Sequence, residues 1–109
     1  MELIRGTLDV LVLKTLSWGP LHGYAISRVI RSATDEALSV EEGALYPALR
    51  RLEKRGLLEG SWAVTETGRD ARVYELTDAG LRHLENEVDS WRRYVEAMSR
   101  VLFATEPVR

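Results

Sequence analysis

From Leu81 to Leu102 the chain repeats its apolar residues at the spacing of a coiled-coil seam. Leu81, Leu84, Val88, Trp91, Val95, Met98 and Leu102 stand three, four, three, four, three and four residues apart. An a/d pattern sustained over three heptads predicts one helix whose apolar seam packs against another helix. Starting after Thr77, a natural cap, and running to about Phe103, that helix would be roughly 40 Å long at about 1.5 Å per residue. A chain of 109 residues has room for one domain and a short accessory element, which cannot cover a helix of that length. The distal half must pack outside its own core, and self-association answers that. The alternative is a helix folded back on its own domain.

Upstream, Leu8, Leu11, Val12, Thr15 and Leu16 follow the i, i+3, i+4, i+7 pattern, which predicts a first helix over 7–17 with Thr7 as N-cap. Ile4, Val10 and Leu13 make its other sides apolar too, so burial on two faces is expected, the second against another subunit. Trp18-Gly19-Pro20 breaks it. Tyr24, Ile26, Val29 and Ile30 mark a second helix over 22–33. Ser39-Val40-Glu41-Glu42 reads as a capping box opening a third helix that runs to Arg55 and stops at Gly56. Residues 58–65 and 71–76 suit strands, with Trp62, Val64, Val73 and Tyr74 supplying β-prone side chains. Between them Glu66-Thr67-Gly68-Arg69-Asp70 makes a polar turn. The expected fold is mainly α with a small β-hairpin. A winged helix-turn-helix domain occupies residues 1–76, and a long C-terminal dimerisation helix occupies 77–109.

The third helix divides into two faces. Leu45, Ala48, Leu49 and Leu52 share the stripe that seats it, while Tyr46, Pro47, Arg50, Arg51 and Lys54 project elsewhere. Arg50, Arg51, Lys54 and Arg55 face only Glu53 in this stretch, a local excess of +3 in a chain of net charge −2. Such a patch suits a helix in the major groove of double-stranded DNA, where Arg binds guanine and Lys or Tyr holds phosphates. Charge alone also describes a solvated cationic helix end that complements the dipole; charge together with topology points to DNA. Arg69 at the hairpin tip and Arg72 beyond it are the wing's candidate contacts, with Glu66 and Asp70 close enough in sequence to neutralise them. Against this reading stands the acidic balance of the whole chain. It favours instead a winged-helix protein-interaction module that does not read DNA.

Catalytic readings find little to work with. His22 and His83 lie on different elements, with no acidic or thiol partner at metal-ligand spacing. There are no cysteines, which removes a disulfide scaffold, a Cys-ligated zinc site and a thiol nucleophile. No phosphate-cradling glycine motif is present. The expectation is a protein that is no enzyme, with no cofactor and no metal. No apolar run approaches the roughly 20 residues of a membrane span, and Met1-Glu2-Leu3-Ile4-Arg5-Gly6 carries early charges without a cleavable small-residue site. A cytoplasmic location is expected.

Four segments together resemble the PadR family of bacterial regulators over roughly residues 4–102. They are Gly6-Thr7-Leu8-Asp9, Leu21-His22-Gly23-Tyr24-Ala25-Ile26, the run from Glu42 to Glu53 containing Leu45-Tyr46-Pro47-Ala48-Leu49-Arg50-Arg51-Leu52, and the run from Arg72 to Gly80. The resemblance implies the family's shorter subgroup, with one C-terminal dimerisation helix. It implies a repressor that binds a pseudo-palindromic operator, relieved in some members by small aromatic or drug-like molecules. By that analogy Tyr46, Pro47, Arg50, Arg51 and Lys54 belong to the DNA-reading helix and Arg69 to the wing. Trp91 is the position to compare with the tryptophans that hold planar effectors at the subunit interface.

Overall fold

The computed structural model describes residues 1, 3 and 6–107. Its elements run α1 (Leu8–Leu16), β1 (Leu21–His22), α2 (Gly23–Ala33), α3 (Glu42–Lys54), β2 (Leu58–Val64), β3 (Asp70–Leu76) and α4 (Asp78–Leu102). This is the expected order with one addition. The two-residue strand β1 joins the hairpin, giving an antiparallel sheet in the order β1-β3-β2, with Leu21 opposite Tyr74 and His22 opposite Val73. Ile4, counted among the apolar sides of the first helix, lies outside the described residues, as do Glu2 and Arg5.

The core forms where α1, α2 and α3 meet the base of the sheet. Val12, Leu13, Ile26, Leu45, Leu49, Leu52 and Leu58 are its fully buried side chains, closed over by Tyr74 and by Leu84 from α4. Burying a Leu or Ile side chain contributes about 1.5–3 kcal/mol, so the stripe of α3 fixes which way that helix faces. The α3 start departs from expectation. Glu41, not Ser39, is the N-cap, and no side chain caps the helix. Val40 is drawn into the core, and its carbonyl accepts a hydrogen bond from Ser27 Oγ at 3.1 Å. That anchor pins residue 40 outside the helix and leaves the capping box unformed. Thr7 does hold the N-cap position of α1, without a side-chain cap bond.

Gly56, at φ +76°, ends the α3 turn in the left-handed region where glycine meets no penalty. Thr77 then ties this turn to α4: its Oγ1 donates to the Gly56 carbonyl at 2.7 Å and accepts from the Gly80 N–H at 3.0 Å. Gly80 is buried so tightly that a Cβ there would overlap the Leu57 carbonyl. Beyond this junction the first turns of α4 pack on α1 and only its distal half runs free. Leu84 is buried and Val88 half-buried, but Trp91, Val95, Met98 and Leu102 of the seam are exposed. Tyr94, Val101 and Phe103 add to that apolar surface. The helix does not fold back, and the described chain measures 61 × 29 × 22 Å.

Because backbone lies where the new methyl would go, Gly80→Ala is expected to cost about 1–3 kcal/mol of stability. Thermal unfolding followed by circular dichroism measures this; an unchanged midpoint would contradict the packing described.

Candidate nucleic-acid interface

Leu45, Ala48, Leu49 and Leu52 are turned inward at no more than 1% exposure, which leaves the cations of α3 on its outward side. Arg50, Lys54 and Arg55 are exposed and form no ion pair among the described residues. Arg51 is exposed as well, but its Nη2 reaches Asp9 Oδ1 on α1 at 3.1 Å. An exposed pair of this kind contributes about 0–1 kcal/mol, so Arg51 remains exchangeable toward another anion.

Tyr46 and Pro47 sit half-buried on α3. The Tyr46 ring packs against Gly23 at the start of α2, where a Cβ would intrude on the ring. Burial, reinforced by Glu42 and Tyr74, holds its phenol above the ordinary value, so the hydroxyl stays protonated and able to donate. Pro47 has no N–H for the carbonyl four residues earlier, that of exposed Gly43. The first turn of α3 thus presents small or flat residues, Gly43 and Ala44, where an approaching surface meets backbone.

The hairpin stands beside α3. β2 and β3 pair from Leu58↔Leu76 at the base to Val64↔Asp70 near the tip. The tip closes through Gly68 at φ +80° and the Thr65–Arg69 backbone bond at 2.7 Å. Arg69 projects there, exposed, with no ion pair among the described residues. Arg72, the other candidate wing contact, is paired, but with a residue of α3 and not of the hairpin: its Nη2 lies 2.7 Å from Glu53 Oε2. Glu66 and Asp70, close enough in sequence to neutralise the wing arginines, form no such pair among the described residues.

Three residues of this surface escaped the sequence reading. Trp62, exposed, lies on the wing with the Arg72 guanidinium 5.6 Å from its ring. Glu53 counted only as one charge against four, yet it is the partner that holds Arg72. Gly23 makes room for Tyr46. A glycine at the start of a helix signals a turn, a helix end or close packing without naming the partner, which here is the Tyr46 ring.

Away from this face, α1 and the middle of α4 border an apolar trough of about 400 Å³, lined by Leu3, Val10, Leu11, Leu38, Val88 and Trp91 among others. Tyr94 stacks on Trp91 at 6.0 Å. No group of three or more metal-ligating side chains occurs among the described residues. His83 instead lies 3.8 Å from Glu87 on the same helix.

Three helices, a three-stranded sheet whose hairpin projects beside an outward-facing α3, and a trailing helix define the winged-helix class of regulator. The profile of the transcriptional regulator PadR-like family matches residues 12–86, and the chain belongs to that family. It is similar to a transcriptional regulator of Mycobacterium tuberculosis, 31% identical over 99 residues that cover 91% of this chain and 85% of that protein. It is 27% identical to the negative transcriptional regulator PadR of Bacillus subtilis over 72% of this chain and 43% of that longer protein. The structure of a transcriptional regulator from Clostridium thermocellum superposes with a TM-score of 0.83 at 31% identity, covering 91% and 96% of the two chains. A PadR-like regulator from Bacillus cereus gives 0.78 at 29% identity, covering 92% and 95%.

A methyl at residue 23 must displace the Tyr46 ring. Gly23→Ala is therefore expected to shift the Tyr46 ring resonances in NMR while circular dichroism still shows the native helix content. Unmoved resonances would contradict the contact.

Proposed function

We propose that this chain is a sequence-specific DNA-binding transcriptional regulator, a repressor that binds a pseudo-palindromic operator as a homodimer in the cytoplasm. The observation that carries this reading is the pairing of two uncommitted cationic elements in one family of regulators: Arg50 and Lys54 on the outward face of α3, and Arg69 on the wing. α3 enters the major groove. Arg50 is the candidate base reader, and Lys54 and Arg51 hold phosphates, Arg51 by exchanging Asp9 for the backbone. Tyr46 donates its hydroxyl to phosphate and Pro47 shapes the approach. The wing carries Arg69 to the backbone or minor groove, with Arg72 behind it.

The homodimer rests on α4. An apolar face running from Trp91 through Val95 and Met98 to Leu102, exposed in one chain, is more than a monomeric protein leaves in water without a use. Pairing with a second copy buries it and sets two α3 helices one helical turn of DNA apart, or a multiple of that. The trough beside Trp91 lies next to that seam, the place for a small aromatic effector. No helix of the described residues is long and apolar enough to cross a membrane, and the family role needs neither a catalytic group nor a cofactor.

Two measurements test this reading. In mobility-shift titrations of DNA from upstream of the chain's own gene, Arg50→Ala is expected to weaken binding by about 1–3 kcal/mol and relax preference at one operator position. Uniformly weaker binding with preference intact would make Arg50 a phosphate contact. In sedimentation velocity the wild type is expected to be a dimer and Val95→Glu a folded monomer; a wild-type monomer would contradict the homodimer.

A further inference from the structure

Glu53 sits in the last turn of α3 and points at the hairpin. Its Oε2 accepts two hydrogen bonds, from the Gly60 backbone N–H on β2 at 3.1 Å and from Arg72 Nη2 on β3 at 2.7 Å. The Arg72 guanidinium lies 5.6 Å from the Trp62 ring centroid and 5.8 Å from that of Tyr74. These residues share one face of the wing, since Gly60 pairs with Tyr74 and Trp62 with Arg72. Gly60 is the vacancy that permits the arrangement: a Cβ there would run into both the guanidinium and the Glu53 carboxylate. Both ion-pair side chains are about two-thirds covered.

We infer that Glu53, Arg72 and Gly60 form a strut that sets the angle of the wing to α3, which makes Arg72 a positioning residue for DNA binding rather than a phosphate ligand. The inference rests on the DNA-binding reading above. The physical need is plain. A two-stranded ribbon twists and bends readily, and a wing hinged only at its base would leave Arg69 with no fixed distance from Arg50. One carboxylate that joins both strands to the helix removes that freedom. Its chemistry separates the strut from a simple charge effect. A carboxylate beside the DNA-facing edge repels phosphate, so removing it by charge alone tightens binding. Loss of a strut weakens binding despite the gain in positive charge.

The test compares wild type, Glu53→Ala, Arg72→Gln, the double variant and Glu53→Gln, each checked for native helix content. The first readout needs no DNA. Amide exchange at Gly60 is expected to quicken in Glu53→Ala and less in Glu53→Gln, which keeps an acceptor; exchange unchanged in Glu53→Ala overturns the strut. The second readout is anisotropy with the fragment upstream of the chain's own gene. Glu53→Ala and Arg72→Gln are each expected to bind about tenfold more weakly, Glu53→Gln less so, with the double no worse than either of the first two, as coupled partners require. The salt slope should stay at the wild-type value. If Glu53→Ala binds as well as wild type or tighter, or if Arg72→Gln lowers the slope by about 0.9, the loss of one phosphate contact, the inference is wrong. Wild type that binds no fragment counts against the DNA-binding reading, while Gly60 exchange still decides the strut.

Discussion

The seating of α3 governs everything outside it. Leu45, Ala48, Leu49 and Leu52 occupy one stripe of a thirteen-residue helix and are essentially fully buried. With one side so committed, the opposite side has no freedom of direction, and Arg50, Lys54 and Arg55 must face solvent. The local cationic excess is thereby converted from a property of sequence into a property of a surface. It resolves the conflict with a net charge of −2: an acidic chain can present a cationic edge when its core decides where the cations point.

Two attachments extend that orientation to the rest of the molecule. Thr77 bonds the end of the α3 turn to the start of α4, so the direction of the long helix follows from where α3 stops. Glu53 bonds α3 to both strands of the wing. α3, the wing tip and α4 are all referenced to one buried stripe. The proposed binding of two half-sites at a fixed spacing would draw on such a common frame.

Much of the fold was legible because its signals are local or periodic. The heptad seam announced α4, the buried stripe announced the orientation of α3, and alternating β-prone residues around Gly68 announced the hairpin. β1 was not legible, since two residues carry no periodicity and Leu21–His22 becomes a strand only because β3 lies alongside it. The Ser39–Glu42 capping box had the right spacing and failed, because Ser27 claims the Val40 carbonyl from another helix. The candidate site divides in the same way. Exposure of Arg50, Lys54 and Arg69 follows from pattern. The engagement of Arg72 by Glu53, nineteen residues away, and of Arg51 by Asp9, forty-two away, depends on tertiary folding and leaves no trace in local sequence.

The central claim is that this acidic chain reads DNA through one concentrated cationic edge. Its most direct test is the salt dependence of wild-type binding to the DNA upstream of its own gene, against a scrambled duplex of equal length. The account predicts tighter binding to the upstream fragment, with log K falling linearly in log salt at a slope of several units as several phosphates are neutralised by the dimer. Equal, weak binding to both duplexes with a slope near zero would contradict it and direct attention to a protein partner for the same winged-helix surface.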